Sequence, residues 1–193
     1  MKKSVAVLSL AAMMTVAVQA QGSEEPKALI QEGVKYIKMV GKELKTQVGS
    51  RMKKDPSGKE ALSFCLDESP QALKKVVSQF PGHVKVRRTA LKYRNPDHKP
   101  DAMDVKVMED LQARMQAGTF EKKPFVVEGE GGVKRVYVPI VVEKGCLKCH
   151  GPKEAMDPQI RSMIAKKYPQ DKAVDFREGD LRGVAVAEIA PKQ

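Results

Sequence analysis

Apolar patterns along this 193-residue chain predict an α+β domain built on an antiparallel sheet. Three observations carry the prediction. Helix-period stripes fill the first half, strict apolar alternation takes over in the second, and two alternating runs flank the glycine-rich turn Glu128-Gly129-Glu130-Gly131-Gly132, as a β-hairpin does.

Taken in order, Ile30, Val34, Ile37, Val40, Leu44, Val48 and Met52 recur every three or four residues, which makes residues 24–54 one long amphipathic helix. At about 1.5 Å per residue it runs some 40 Å, more than a small domain needs, so it either lies along the domain or pairs with a second copy as a homodimer. Asp55-Pro56-Ser57-Gly58 ends it. A short helix over 59–66 then carries Cys65 among Ala61, Leu62 and Phe64, and Ser69-Pro70 reads as the N-cap and first position of a third helix that stops at Pro81-Gly82. Val84 and Val86 alternate in a first strand, and a polar loop from Arg94 to Pro100 follows. Residues 101–117 form a further helix on Ala102, Val105, Met108, Leu111 and Met115. The hairpin pairs Phe125-Val126-Val127 with 133–142. Asp157-Pro158 opens one more short helix, and an alternating strand over 183–189 closes the chain.

The N-terminus reads as a secretory leader. Lys2 and Lys3 form a basic n-region, Val5 to Val18 an apolar h-region, and Val18-Gln19-Ala20 a cleavage site that would release residues 21–193 as one domain. The h-region is short for a spanning helix, which takes about 20 apolar residues, so no membrane span is expected after cleavage and the mature chain is expected in the periplasm. The whole chain has 35 Lys and Arg against 24 Asp and Glu, a net charge of +11, and the leader removes only two of the positive charges. In an exported protein that balance points to acidic redox or signalling partners or anionic surfaces rather than to nucleic acid.

The chemistry concentrates in Cys146-Leu147-Lys148-Cys149-His150. The chain has three Cys and three His, and two of the thiols and one imidazole fall within these five positions. Two thiols at this spacing each add to one vinyl group of a haem, and the next histidine then lies under the iron: the Cys-x-x-Cys-His attachment signature for one covalent haem c. A thioredoxin-type redox pair would need a βαβ setting, a zinc site would have to use adjacent Cys149 and His150 on one ion, and a structural disulfide remains the third alternative.

On the other side of the iron several ligands stay open at this point. Cys65 is a lone thiol in an oxidising compartment, or else a small buried hydrophobe beside Leu62 and Phe64. His83 and His98 offer imidazoles. Met103, Met108, Met115, Met156 and Met163 offer thioethers, though most sit on helix stripes where packing explains them, and an open site is the remaining choice.

Five stretches together resemble a known family: Ala61 to Pro70 with Cys65; Arg88 to Lys92 running into Arg94-Asn95-Pro96 and Pro100-Asp101; Tyr137-Val138-Pro139-Ile140; Cys146 to Gly151; and Tyr168 to Ala173 with Gly179 to Gly183. This is similar to the small extracytoplasmic c-type haem domains with a PAS-like fold, which occur alone and as sensor modules of histidine kinases and chemoreceptors. The resemblance implies a PAS-like antiparallel sheet with flanking helices and the long N-terminal helix packed alongside, and it implies His150 and Cys65 as the axial pair. His98, Met103 and Asp104 depart from the family's usual Asn, Trp and Glu.

Two functions follow from that ligand set. A thiolate that is displaced on reduction would open the iron to CO or NO, the behaviour of a redox or small-ligand sensor. A pair retained in both states would make a low-potential single-electron carrier. A peroxidase would need a distal acid–base pair from Arg87, Arg88, Arg94 or His98, and arginines in such a stretch more often hold propionates, so no enzymatic activity is expected.

Overall fold

The computed structural model describes residues 25–191, so the expected leader lies outside it. Helix α1 (Glu25–Lys54) is the long amphipathic helix, and it buries Gly33, Ile37, Val40 and Leu44 while its opposite side stays exposed. Each fully buried aliphatic side chain of that stripe contributes about 1.5–3 kcal/mol. Contact is closest at Gly33, where an added Cβ would fall 2.5 Å from Val136 Cβ, so only glycine lets the helix lie this close to the sheet.

The sheet has four antiparallel strands, β1 (Val84–Thr89), β2 (Phe125–Glu128), β3 (Lys134–Val141) and β4 (Leu181–Ile189), in the order β1-β4-β3-β2. The hairpin β2–β3 is as expected, and the chain's last strand lies in the middle, paired to both β1 and β3. That position explains why β4 is buried almost throughout. Ala185, Ala187 and Ile189 face α1 with Ile37, Val84 and Val136. Val184 and Val186 face the other way with Tyr137, where Met108 and Leu111 of α4 (Ala102–Gln116) cover them. The α+β class and the flanking helices are therefore those the apolar pattern predicts.

One local expectation fails. Instead of two helices separated at Ser69, the chain runs from α2 (Lys59–Ser63) through a wide π turn (Phe64–Glu68) straight into α3 (Ser69–Val77). Ser69 has helical backbone angles, and its hydroxyl donates to the Cys65 carbonyl at 2.9 Å instead of capping. Pro70 is the cause: it has no N–H for the Leu66 carbonyl and its ring would crowd that group in a regular helix, and one extra residue in the turn relieves both. Cys65 lies in that turn.

Candidate haem site

The Cys-x-x-Cys-His stretch follows β3 by a few residues. Val142, buried with Ala173 and Phe176, fixes the end of the strand, and Cys146 and Leu147 pack against the same cluster. The single turn α5 (Leu147–His150) then presents the motif. It ends tightly: Gly151 N donates to the Leu147 carbonyl at 2.9 Å, and a Cβ on residue 151 would lie 2.5 Å from that same oxygen.

A loop beyond helix α6 (Pro158–Lys167) clamps the motif. His150 Nδ1 lies 2.8 Å from the Ala173 carbonyl, an acceptor only, so Nδ1 carries the proton and Nε2 keeps its lone pair. Phe176 stands edge-on to the imidazole at 6.4 Å, and its backbone N–H donates to the His150 carbonyl at 3.0 Å. Arg94 joins the two segments. Its Nη2 donates to the Cys149 carbonyl at 2.6 Å, to Asp171 Oδ2 at 3.0 Å and to the Ala173 carbonyl at 3.2 Å, while its Nε is buried with no partner.

Charge around the motif is one-sided. Burial, with Arg182 and Arg94 adding to it, pushes the His150 pKa down to about 3, which keeps the imidazole neutral. Burial pushes the Cys149 thiol up to about 11, opposed by Arg94, and the Cys65 charge is felt there too. Arg182 is pushed down to about 10 by burial and by Arg94 and Arg88, and burial lowers Arg88 as well. Cys65 itself is exposed as a residue, yet the protein packed around its thiol raises the pKa against the opposing pull of Arg88, Arg94 and Arg51. Cys65, Cys146, Cys149 and His150 thus share one neighbourhood with Arg88, Arg94 and Arg182, and only Arg94 of these three has a carboxylate partner among the described residues.

These residues fit a haem better than the other readings. All three cysteines are free thiols in this structure, which leaves Cys146 and Cys149 available to the vinyl groups of a haem. Among the described residues no three His, Cys, Asp or Glu side chains gather as a zinc site would require. What is present is a free thiol pair, a neutral histidine oriented by its other nitrogen, an orphaned buried guanidinium N–H and two arginines without carboxylates, the complement of a porphyrin with two propionates.

The family model described as Tll0287-like matches residues 8–190. The chain belongs to the Tll0287-like family. Among solved structures, the crystal structure of the cyanobacterial heme-protein Tll0287 is similar at 26% identity and a TM-score of 0.63, covering 88% of this chain and 98% of that one. A comparison with curated proteins finds none that matches. The family resemblance drawn from the five sequence stretches is thereby met, and so is the fold class it implied.

Of the other ligand candidates, some sit away from the motif and some border it. His83 faces Glu32 of α1 at 3.3 Å. Met108 is buried on α4 against the sheet, and Met156 is buried beside Leu62 and Ile160 in a cluster that Cys149 and Met163 also pack against. Arg87 is engaged by Asp104 and Glu188 on the sheet. His98 is half-buried near Arg88 and Arg182 and so borders the haem neighbourhood; its carbonyl accepts from Thr89 Oγ1 at 3.0 Å and from Ala90 N at 3.3 Å, which anchors the loop to β1 and leaves the imidazole uncommitted among the described residues. Sequence reasoning passed over Arg182, Asp171 and Phe176. The first two lie inside stretches that carried the family resemblance, a signal that could have singled them out.

Proposed function

We propose that this protein is a periplasmic monohaem cytochrome-like protein in which Cys146 and Cys149 hold one haem c covalently and His150 and Cys65 are its axial ligands. The observation that carries the reading is the shared neighbourhood of those four side chains with Arg88, Arg94 and Arg182. The heme-binding relative supports it. When bound, the haem supplies a one-electron couple and, wherever Cys65 is displaced, a coordination site for CO or NO.

The chain's own residues prepare that site. The Ala173 carbonyl holds His150 in the tautomer that presents Nε2, and Arg94 ties the motif to the loop carrying Ala173, so the proximal side is rigid. Arg88 and Arg182 supply positive charge for the propionates. Cys65 differs, because it rides on the π turn between α2 and α3 and not on a regular helix. A fixed proximal ligand paired with a distal ligand on an irregular turn suits redox or small-ligand sensing, and any signal would leave through the helix that follows Cys65.

Oxidised and reduced absorption spectra of the wild type beside Cys65→Ala test the assignment. The variant is expected to lose the low-spin six-coordinate ferric spectrum and to bind CO on reduction without delay. An unchanged ferric Soret band in Cys65→Ala would remove Cys65 from the iron. A wild type that stays six-coordinate and blind to CO after dithionite would favour the electron-carrier reading over sensing.

A further inference from the structure

The exposed side of α1 is a row of lysines. Lys27, Lys35, Lys38, Lys42, Lys45 and Lys53 are all exposed, and at 3.6 residues per turn they fall within an arc of about 80° opposite the buried Gly33, Ile37, Val40 and Leu44. The row extends for about 39 Å. The only other residues in the arc are Gln31 and Gly49, so it holds no acid, no arginine and no apolar side chain. None of the six lysines makes an ion pair among the described residues; Lys35 alone has a neighbour of note, the Tyr36 ring at 5.3 Å.

We propose that this face docks the protein on an anionic lipid surface. A straight, uncompensated line of point charges matches a plane of negative headgroups, and each lysine near such a surface adds independently to the attraction. A specific protein partner would be met by aromatic or arginine anchors in an apolar centre, and interfaces of that kind are poor in lysine. With no apolar residue in the arc, the helix lies on the headgroups without inserting, so attachment is electrostatic and reversible. It would hold the sheet and haem motif on the side of α1 away from the lipid.

Co-sedimentation of the mature holoprotein with vesicles tests this. The wild type is expected to pellet with phosphatidylcholine vesicles containing roughly one third phosphatidylglycerol, not with phosphatidylcholine alone, and to be released as salt shortens the screening length. Reversing four charges, K35E/K38E/K42E/K45E, is expected to weaken partitioning at least about tenfold, while K74E/K75E/K122E/K123E, an equal reversal elsewhere on the surface, keeps most of it. The haem spectrum of each variant checks its fold independently of vesicle binding, and K38E/K42E provides a milder form of the same test. A wild type that ignores anionic vesicles, an α1 variant that binds as well as the wild type, or equal loss in both four-site variants would each overturn the proposal. So would tighter capture by an acidic protein than by the vesicles.

Discussion

Replacing Asp104 by alanine is expected to cost the protein about 3–5 kcal/mol, the range for removing one partner of a buried charge pair. Asp104 is fully buried on α4, and its carboxylate accepts from Arg87 Nη1 at 2.5 Å, Arg87 Nη2 at 3.1 Å and the Tyr137 hydroxyl at 3.0 Å, with Arg135 Nη1 at 3.6 Å. Burial pushes the Tyr137 phenol up to about 12, with Arg135 opposing and Asp104 adding to the shift, so the hydroxyl stays a donor. In the alanine variant Arg87 keeps Glu188 at 3.1 Å and part of its solvent, but the Tyr137 hydroxyl loses its acceptor among the described residues, a loss of about 1–3 kcal/mol by itself. For a domain of this size each kcal/mol moves Tm by about 2–4 °C, so the midpoint of thermal unfolding followed by circular dichroism should fall by about 6–20 °C. Adding Tyr137→Phe should recover part of the loss, because no hydroxyl is then stranded. A drop below about 3 °C, or strictly additive effects of the two changes, would refute the role assigned to this network.

Two further outcomes follow from the site. Gly151→Ala forces a Cβ against the Leu147 carbonyl, and is expected to lower the yield of haem-loaded protein while leaving the sheet folded, as pigment per unit protein and far-ultraviolet dichroism will show. Burial, reinforced by Arg88 and Arg182, pushes the His98 pKa down from 6.5 to about 4. Between those values the unfolded chain binds the proton and the folded one does not, so this contribution is whole above pH 6.5, drains as pH falls towards 4 and is flat below. For a half-buried group it is worth about 1–3 kcal/mol, and denaturant titrations of His98→Gln should lose that slope.

The features legible in the sequence are those written in local period and spacing. The α1 stripe from Ile30 to Leu44, the α4 stripe with Met108 and Leu111, the hairpin and the Cys146–His150 motif each depend on residues a few positions apart. The central place of β4 does not, because its pairing with β1 joins residues about a hundred positions apart, such as Val84 and Ile189, and alternation along one strand carries no information about its neighbours. The π turn escaped for another reason. Ser69-Pro70 is a good helix start by every local rule, and the continuous helix wins because Phe64 and Leu66 on the turn are buried. Asp104 stood out in the sequence only as a departure from the family's usual Glu; the structure places it in a capping box with Asp101, and Arg87 and Tyr137 come to it from strands 17 and 33 positions away. At the site, the motif and Cys65 were named in advance, whereas the grouping of Arg88, Arg94 and Arg182 arises only when β1, its loop and β4 converge.

The central claim, one haem bound covalently through Cys146 and Cys149, is tested most directly by the mass of the protein exported into an oxidising compartment of a host that attaches c-type haem, then denatured and extracted with acidified solvent. The account predicts the mass of the chain from residue 21 plus one haem, and the bare chain for Cys146→Ser/Cys149→Ser. A bare wild-type chain after the same extraction, with the haem in the solvent phase, would contradict it.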